Sequence, residues 1–380
     1  MVKRSNAFAH GLALVACGGA STFAIAQDLP FTMTELADFD IPWALEFLPD
    51  GRLLVTEQRG ALKLYSPGGA ISEIDGVPEV SYGGQGGLGD VVLHPDFAAN
   101  DLVYLSFAEA GPGETRGAAV ARAKLTLDGN GGELTDLEVI WRQMPKVDGG
   151  GHYGHRIVFG PDGYLYISTG DRQKFDPAQD MQASLGKILR LNHDGSLPAD
   201  NPFGGDLGVT AQIWSLGHRN PLGLAFDSRG RLWNVEMGPA GGDELNLVER
   251  GANYGYPIVS NGDHYDGKVI PDHPTRPDFN APAVFWNPVI SPSSLLFYSG
   301  SEFPQWQGDA FIGGLSSQSI VRIEFDGASA REAERFAMGM RVRAVEQGPD
   351  GAIWILEDGR EGRGGEGRMF RLSARGASGQ

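Results

Sequence analysis

The sequence predicts an all-β protein, a six-bladed β-propeller of four-stranded antiparallel sheets. Three observations carry that expectation. A Pro-Asp-Gly turn or a relative of it returns six times, each copy leads into an apolar strand, and the 56 glycines and 23 prolines are spread along the 380 residues rather than clumped. Turn formers dispersed in this way suit many short strands joined tightly. No long run with a helical period competes with that reading.

The copies follow in order. Pro49-Asp50-Gly51 leads into residues 52–57, and His94-Pro95-Asp96 leads through a short loop into 101–107. Pro161-Asp162-Gly163 opens 164–171, and Asp227-Ser228-Arg229-Gly230 opens 231–238. The fifth copy is the weakest, Gln307-Gly308-Asp309 into 310–314, and Pro349-Asp350-Gly351 opens 352–358. Glycine supplies the tight turn because it accepts positive φ without a steric penalty. The strand that follows alternates, so one face should pack against the next sheet. Sheets repeated radially hide most of their edges, which makes six ordered copies a propeller signal where a single copy would be an ordinary hairpin turn.

Spacing between copies is uneven, and the excess over the about 40–50 residues of regular propeller repeats falls around 109–155, 172–213 and 239–300. Such insertions are expected to gather on one face and build a binding site. No linker divides the chain, so residues 27–380 read as one propeller domain, with a flexible loop at 361–367 and a frayed tail from Ala374.

Composition bounds the function. Apolar residues make up 41% and charged residues 21%, which is globular rather than disordered. A formal net charge of -17 with no basic stripe argues against nucleic acid and anionic membranes as partners. It is compatible with neutral substrates such as sugars and with cations, and equally with a simple solubility charge. The single cysteine, Cys17, lies in an N-terminal segment that reads as an export signal over 1–26: Lys3 and Arg4, then an apolar stretch, then Ala24-Ile25-Ala26 as a cleavage site. Leu14-Val15-Ala16-Cys17 offers an alternative, lipidation at Cys17; both place the protein in the periplasm or outside the cell. No other stretch is long and apolar enough to span a membrane.

Four constellations could carry chemistry. His152 lies in the glycine loop Gly149-Gly150-Gly151-His152-Tyr153-Gly154-His155-Arg156, and Asp171 ends the strand that follows. Imidazole is the usual general base, and an aspartate can orient it and stabilise its protonated form. An ordinary polar loop histidine is the alternative. Arg219 and Asn220 follow His218 before the fourth copy and offer a guanidinium fork and an amide, for a ligand or for an ion pair between blades. Next, 236–244 and 253–257 combine Gly238, Pro239, Asp243, Glu244 and Tyr254 in a turn rich in carbonyls and acids, the oxygen ligands that calcium takes, though without the twelve-residue EF-hand loop. Arg341 and Arg343 share a strand face, which suggests a polyanion between them or else two surface arginines. Gln85 adds a polar side chain in a fifth glycine-rich stretch, 83–87.

The order and wording of these segments are more specific than any one of them. GGQGGLGDVVLHPDF, HYGHRIVFGPDGYLYISTGD, LGKILRLNHDGSLPADNPF, SLGHRNPLGLAFD and EMGPAGGDELNLVERGANYGYP closely resemble the soluble glucose/aldose sugar dehydrogenase family, over about residues 30–372. The resemblance implies a six-bladed propeller that holds pyrroloquinoline quinone (PQQ) and calcium. It implies that His152 removes the proton of the anomeric hydroxyl with Asp171 as its orienter, and that Gln85 sits at the sugar and quinone end. It gives Arg219 and Asn220 to PQQ, with Arg219 also stabilising charge on the quinone oxygen. The carbonyls of Gly238 and Pro239 would hold the calcium that polarises the quinone, and Arg341 and Arg343 would pair with PQQ carboxylates. Glu244 and Tyr254, with Asp243, look like a second, structural calcium site.

Two positions depart from the family. A Leu-Lys pair that often supplies a PQQ-binding lysine reads Gly314-Leu315-Ser316-Ser317 here, and the acid preceding the histidine in glucose-specific members is Gly151. The first should weaken the hold on PQQ unless Arg341 and Arg343 compensate. The second favours a broader aldose-type specificity. The expected reaction is oxidation of an aldose at its anomeric hydroxyl to a lactone, with electrons passing from PQQ to an external acceptor. A calcium-dependent lactonase and a binding propeller without catalysis are the alternatives.

Overall fold

The computed structural model describes residues 28–129, 131–359 and 365–375. The export segment, the cleavage site and Cys17 lie outside the described residues, as does most of the 361–367 loop. The described chain is all-β, built mainly of four-stranded antiparallel sheets in chain order. Strands Ile157–Phe159, Leu165–Thr169, Lys187–Leu191 and Ile213–Leu216 make one sheet, and Pro292–Phe297, Ala310–Gly314, Ser319–Asp326 and Ser329–Ala337 make another. A third is made by Pro221–Phe226, Leu232–Glu236, Asp243–Leu247 and Val284–Trp286. The first eight strands after Asp40 form one larger sheet. It consists of two antiparallel meanders joined by a short parallel pairing, Ile74 and Asp75 opposite Gly132 and Glu133. The last four-stranded sheet is composite, with the N-terminal strand Phe31–Asp40 pairing antiparallel with the C-terminal strand Glu366–Ala374, and a two-stranded ribbon pairs Ala240–Gly241 with Gly262–Asp263.

Each repeat strand read from the sequence is the second strand of its meander. The turns before them have the required backbone, with positive φ at Gly51, Gly163, Gly230, Gly308 and Gly351. The second copy uses Asp101 at φ 56 instead, closing a one-turn helix Phe97–Asn100. The strands do not show one buried and one exposed face. Leu53–Glu57, Leu165–Thr169, Leu232–Glu236 and Ala310–Gly314 are buried throughout. The reason is that sheets pack on both sides of each: apolar clusters lie between successive sheets. One of them joins the last sheet to the first through Phe39, Leu45, Val55, Ala344 and Leu356. The result is a closed, propeller-like ring.

Two expectations are corrected. Residues 109–155 are not chiefly an insertion, because Arg116–Asp128 and Gly131–Arg142 form a long hairpin within the sheet. The C-terminus does not fray at Ala374, which pairs with Phe31, and Glu366 and Gly367 belong to a strand rather than a loop. Among the described residues no helix is long and apolar enough to cross a membrane.

Candidate active site

At one end of the ring, loops between strands enclose a cavity of about 550 Å³. Gln85, His152, Arg219, Gly238, Pro239, Asp243, Arg341 and Arg343 all line it, so the structure brings together residues scattered over most of the chain. Ser316 is also in its wall.

The centre of the site is a histidine–aspartate pair. The strand Leu165–Thr169 delivers Asp171, whose side chain is fully buried, and His152 Nδ1 lies 2.6 Å from Asp171 Oδ1. A carboxylate only accepts, so Nδ1 carries the proton in the neutral ring and Nε2 keeps its lone pair. Burial lowers the His152 pKa from its ordinary value; Asp171 partly offsets this, and the Arg219 charge lowers it further. The ring is therefore held neutral and ready to accept a proton. His152 occupies φ 50, a conformation that costs a non-glycine residue about 1–2 kcal/mol. Its surroundings impose it. The backbone N–H of His152 donates to Gln85 Oε1 at 2.7 Å, and the buried Arg172 guanidinium donates to the carbonyls of Gly149, Gly151 and Arg116. Gln85 thus has its oxygen committed to the histidine loop, a restraint its sequence position does not announce.

Behind His152, the Asp171 N–H donates to Arg219 O at 2.8 Å, linking the pair to the next segment. Glu236 is the hub there. It accepts from the Arg219 N–H at 2.6 Å, and its other oxygen lies 2.8 Å from His218 Nδ1. Arg219 donates one bond to Met237 O, but its Nε is buried without a partner among the described residues, and so is Asn220 Nδ2. Asn220 Oδ1 accepts from the Gly154 N–H. A buried, unsatisfied guanidinium donor in the cavity wall is costly unless a ligand with acceptor oxygens meets it, whereas Asn220 is not among the residues that line the cavity. A polycarboxylate quinone such as PQQ has that chemistry.

Arg341 and Arg343 differ from the expectation. They are not unpaired cations, because both bind the carboxylate of Asp358. Arg341 Nε donates to Oδ2 at 2.8 Å and Arg343 Nε to Oδ1 at 2.7 Å. One carboxylate between two guanidiniums leaves a net positive charge for an anionic ligand, but a smaller one than the sequence suggested. Asp358 is an acid at the end of the sixth repeat strand, as Asp171 is in the third, but only the register of the hairpin brings it to the arginine pair.

The acidic turn also divides. Asp243 and Glu244 are neighbours in a strand and so point to opposite faces. Asp243 lines the large cavity, and its carboxylate accepts from the backbone N–H groups of Gly238, Ile290 and Ser291. Those bonds make it a loop organiser, and it does not join Glu244 in a second site. Glu244 instead lines a small separate pocket with Tyr254 and Glu236. Burial, then the nearby Glu236 charge, raises its pKa well above the ordinary value. The Tyr254 hydroxyl donates to Leu247 O and accepts from the Glu249 N–H, while its backbone carbonyl lies 3.2 Å from His273 Nε2. Glycines crowd the turn after Gly238: a Cβ there would meet the carbonyl oxygens of Gly241 and Gly242 at 2.3 Å. Clustered carbonyl oxygens suit a hard cation. Among the described residues no group of three or more His, Cys, Asp or Glu side chains could hold a metal, so any ion here would depend on carbonyls. Trp43, Tyr153 and His155 also line the cavity, and sequence reasoning assigned them nothing. Both ring nitrogens of His155 are buried without partners.

Residues 39–370 match the family model for glucose/sorbosone dehydrogenases. An aldose sugar dehydrogenase of Escherichia coli is 40% identical over 326 residues, covering 84% of this chain and 87% of that protein. The crystal structure of a soluble aldose sugar dehydrogenase from Escherichia coli, in its apo form, superposes with a TM-score of 0.86 at 38% identity, over 91% of this chain and 100% of that one. The PQQ-bound form of an aldose sugar dehydrogenase from Streptomyces coelicolor gives 0.74 at 30% identity, over 90% and 98%.

Proposed function

The chain belongs to the glucose/sorbosone dehydrogenase family, a family of oxidoreductases, and from that premise we propose that it oxidises aldoses at the anomeric hydroxyl to lactones with PQQ and calcium. The observation that carries the reading is the buried His152–Asp171 pair at a cavity whose wall also carries the unsatisfied Arg219 Nε. His152 Nε2 takes the proton of the anomeric hydroxyl, and Asp171 holds the ring in the required tautomer and stabilises the imidazolium. PQQ, when bound, would supply the acceptor for the hydride on the anomeric carbon, and calcium would supply Lewis-acid assistance. Arg219 Nε and Asn220 Nδ2 would donate to acceptor oxygens of the cofactor, and Arg219 would stabilise negative charge as it develops. Arg341 and Arg343, sharing Asp358, would bind a carboxylate of the cofactor. The carbonyls of Gly238 and Pro239 would hold the catalytic calcium, and Glu244 with the Tyr254 carbonyl would hold a structural one. Gln85 fixes the His152 loop at the sugar end.

In this reading the sheets are six blades, the eight-stranded sheet counting as two, and residues 27–380 form one propeller domain. The N-terminal segment directs export to the periplasm or beyond, by cleavage after Ala26 or lipidation at Cys17, and electrons leave to an external acceptor. The mass of the mature N-terminus separates the two routes. The activity test is reconstitution of purified apoprotein with PQQ and calcium, followed by dye reduction with a panel of aldoses. The expected result is cofactor-dependent turnover; no dye reduction with PQQ demonstrably bound refutes the proposal.

A further inference from the structure

The segment after Asp171 is strained in a way the base pair alone does not require. Arg172, Gln173 and Phe175 all have positive φ, at 56°, 59° and 63°. Each costs a non-glycine residue about 1–2 kcal/mol, and the surrounding bonds hold them there. Asp171 Oδ1, the oxygen that binds His152, also accepts from the Gln173 N–H at 2.9 Å, and Oδ2 accepts from the Phe175 N–H at 3.2 Å. Arg172 is pinned by three carbonyls, two of them in the glycine loop that carries His152. Strain maintained so thoroughly beside a base calls for a product, and the side chain presented is that of Gln173.

Gln173 lies in the cavity wall with His152. Its carboxamide rests against the residue that precedes the base. A Cβ on Gly151 would lie 2.5 Å from Gln173 Oε1, 2.6 Å from Cδ and 3.0 Å from Nε2. Gly151 is therefore the space into which the amide fits. Gln173 is itself exposed and its carboxamide makes no hydrogen bond to another described residue, so one acceptor and two donors at the cavity wall are open to solvent or to a ligand without carrying charge. A sugar hydroxyl is both donor and acceptor, which a neutral amide matches in either sense.

We propose that Gln173 is the specificity residue of this site, its carboxamide hydrogen-bonding a ring hydroxyl of the aldose close to the anomeric centre. The inference rests on the aldose-oxidation reading above. The position beside the base is filled from the next turn by an uncharged group. Gln173→Ala keeps the backbone N–H to Asp171, so the base pair and its pH profile remain.

The test compares the reconstituted wild-type protein with Gln173→Ala on glucose and its monodeoxy analogues. In the wild type, one deoxy analogue should lose about 10–100-fold in kcat/KM, the range of a hydrogen-bonding site left unpaired. In Gln173→Ala that penalty should vanish while the others persist, with the acid limb of the pH profile unmoved. Gln173→Glu, which can only accept, should restore part of the discrimination. If wild type is active and every deoxy penalty is the same in Gln173→Ala, the role given to Gln173 is wrong and aldose oxidation stands. A wild type with bound PQQ that oxidises no aldose overturns the oxidation reading and this inference with it.

Discussion

The imidazole of His152 is under opposed influences: burial, the largest, and the Arg219 charge favour the neutral ring, while Asp171 favours the protonated one. Their balance lies below the ordinary value of about 6.5, so the base stays unprotonated to lower pH than a free histidine would. Activity limited by this group should rise with pH along an acid limb centred below that value. Asp171→Asn removes the influence that raises the pKa. The limb should then move to still lower pH while the plateau of kcat falls by about 10²–10⁴-fold, the weight of a misoriented base; a limb that moves upward would contradict the electrostatics. Asp358 allows a second test at this scale. Asp358→Ala leaves Arg341 and Arg343 without their shared partner, at a cost of about 2 kcal/mol or more. Thermal unfolding should show a lower midpoint for the apoprotein, and added PQQ should recover more of the loss than it adds to wild type. Equal PQQ-induced shifts in both would place the cofactor's carboxylates elsewhere.

Strand ends explain how far the sequence could be read. The repeat strands were legible because a turn with positive φ precedes an apolar run, and each became the second strand of a meander. Their final acids were less obvious, yet Glu57, Asp171, Glu236 and Asp358 each bind a neighbouring loop or side chain at or near a strand end. Asp171 was legible as a partner for His152, whereas Asp358 was not, because the arginine pair precedes it by about one hairpin and pairing across a hairpin depends on register. Asp243 and Glu244 were wrongly grouped because the strand alternation that separates them becomes decisive only once that segment is known to be a strand. Gly170 shows what such an end tolerates. A Cβ there would lie 2.2 Å from the His152 carbonyl oxygen and 2.9 Å from Asn220 Oδ1. Gly170→Ala should therefore fold but displace the base, with kcat down about 100-fold, as expected of a shift near 1 Å, and a smaller change in thermal midpoint. An active Gly170→Ala would mean that the strand end and the histidine loop move apart freely.

At the scale of the molecule the ring depends on one closure. Phe31–Asp40 pairs with Glu366–Ala374 from Phe31 opposite Ala374 to Asp40 opposite Glu366, so strands more than three hundred residues apart complete one sheet. Closure also buries aromatic surface. Phe31 packs edge-on to Phe336 at 5.4 Å and to Trp306 at 6.4 Å, both in the preceding part of the ring, while Phe39 enters the cluster that joins the last sheet to the first. A ring without this strand would present Glu366–Ala374 as an unpaired edge, the kind of edge that recruits other chains. The damage should exceed the local contacts, since Arg343 lies in a strand of the same sheet, Arg341 and Asp358 flank its strands, and all three are in the cavity wall. Phe31→Ala removes only the anchor and should cost about 3–5 kcal/mol, read as a lower denaturant midpoint with an unchanged slope. Deleting residues through Asp40 should do more, giving aggregation on size exclusion and loss of PQQ-induced stabilisation together. If the shortened protein stays monomeric and still gains stability from PQQ, the ring is held by its inter-sheet clusters alone and the terminal strand is dispensable.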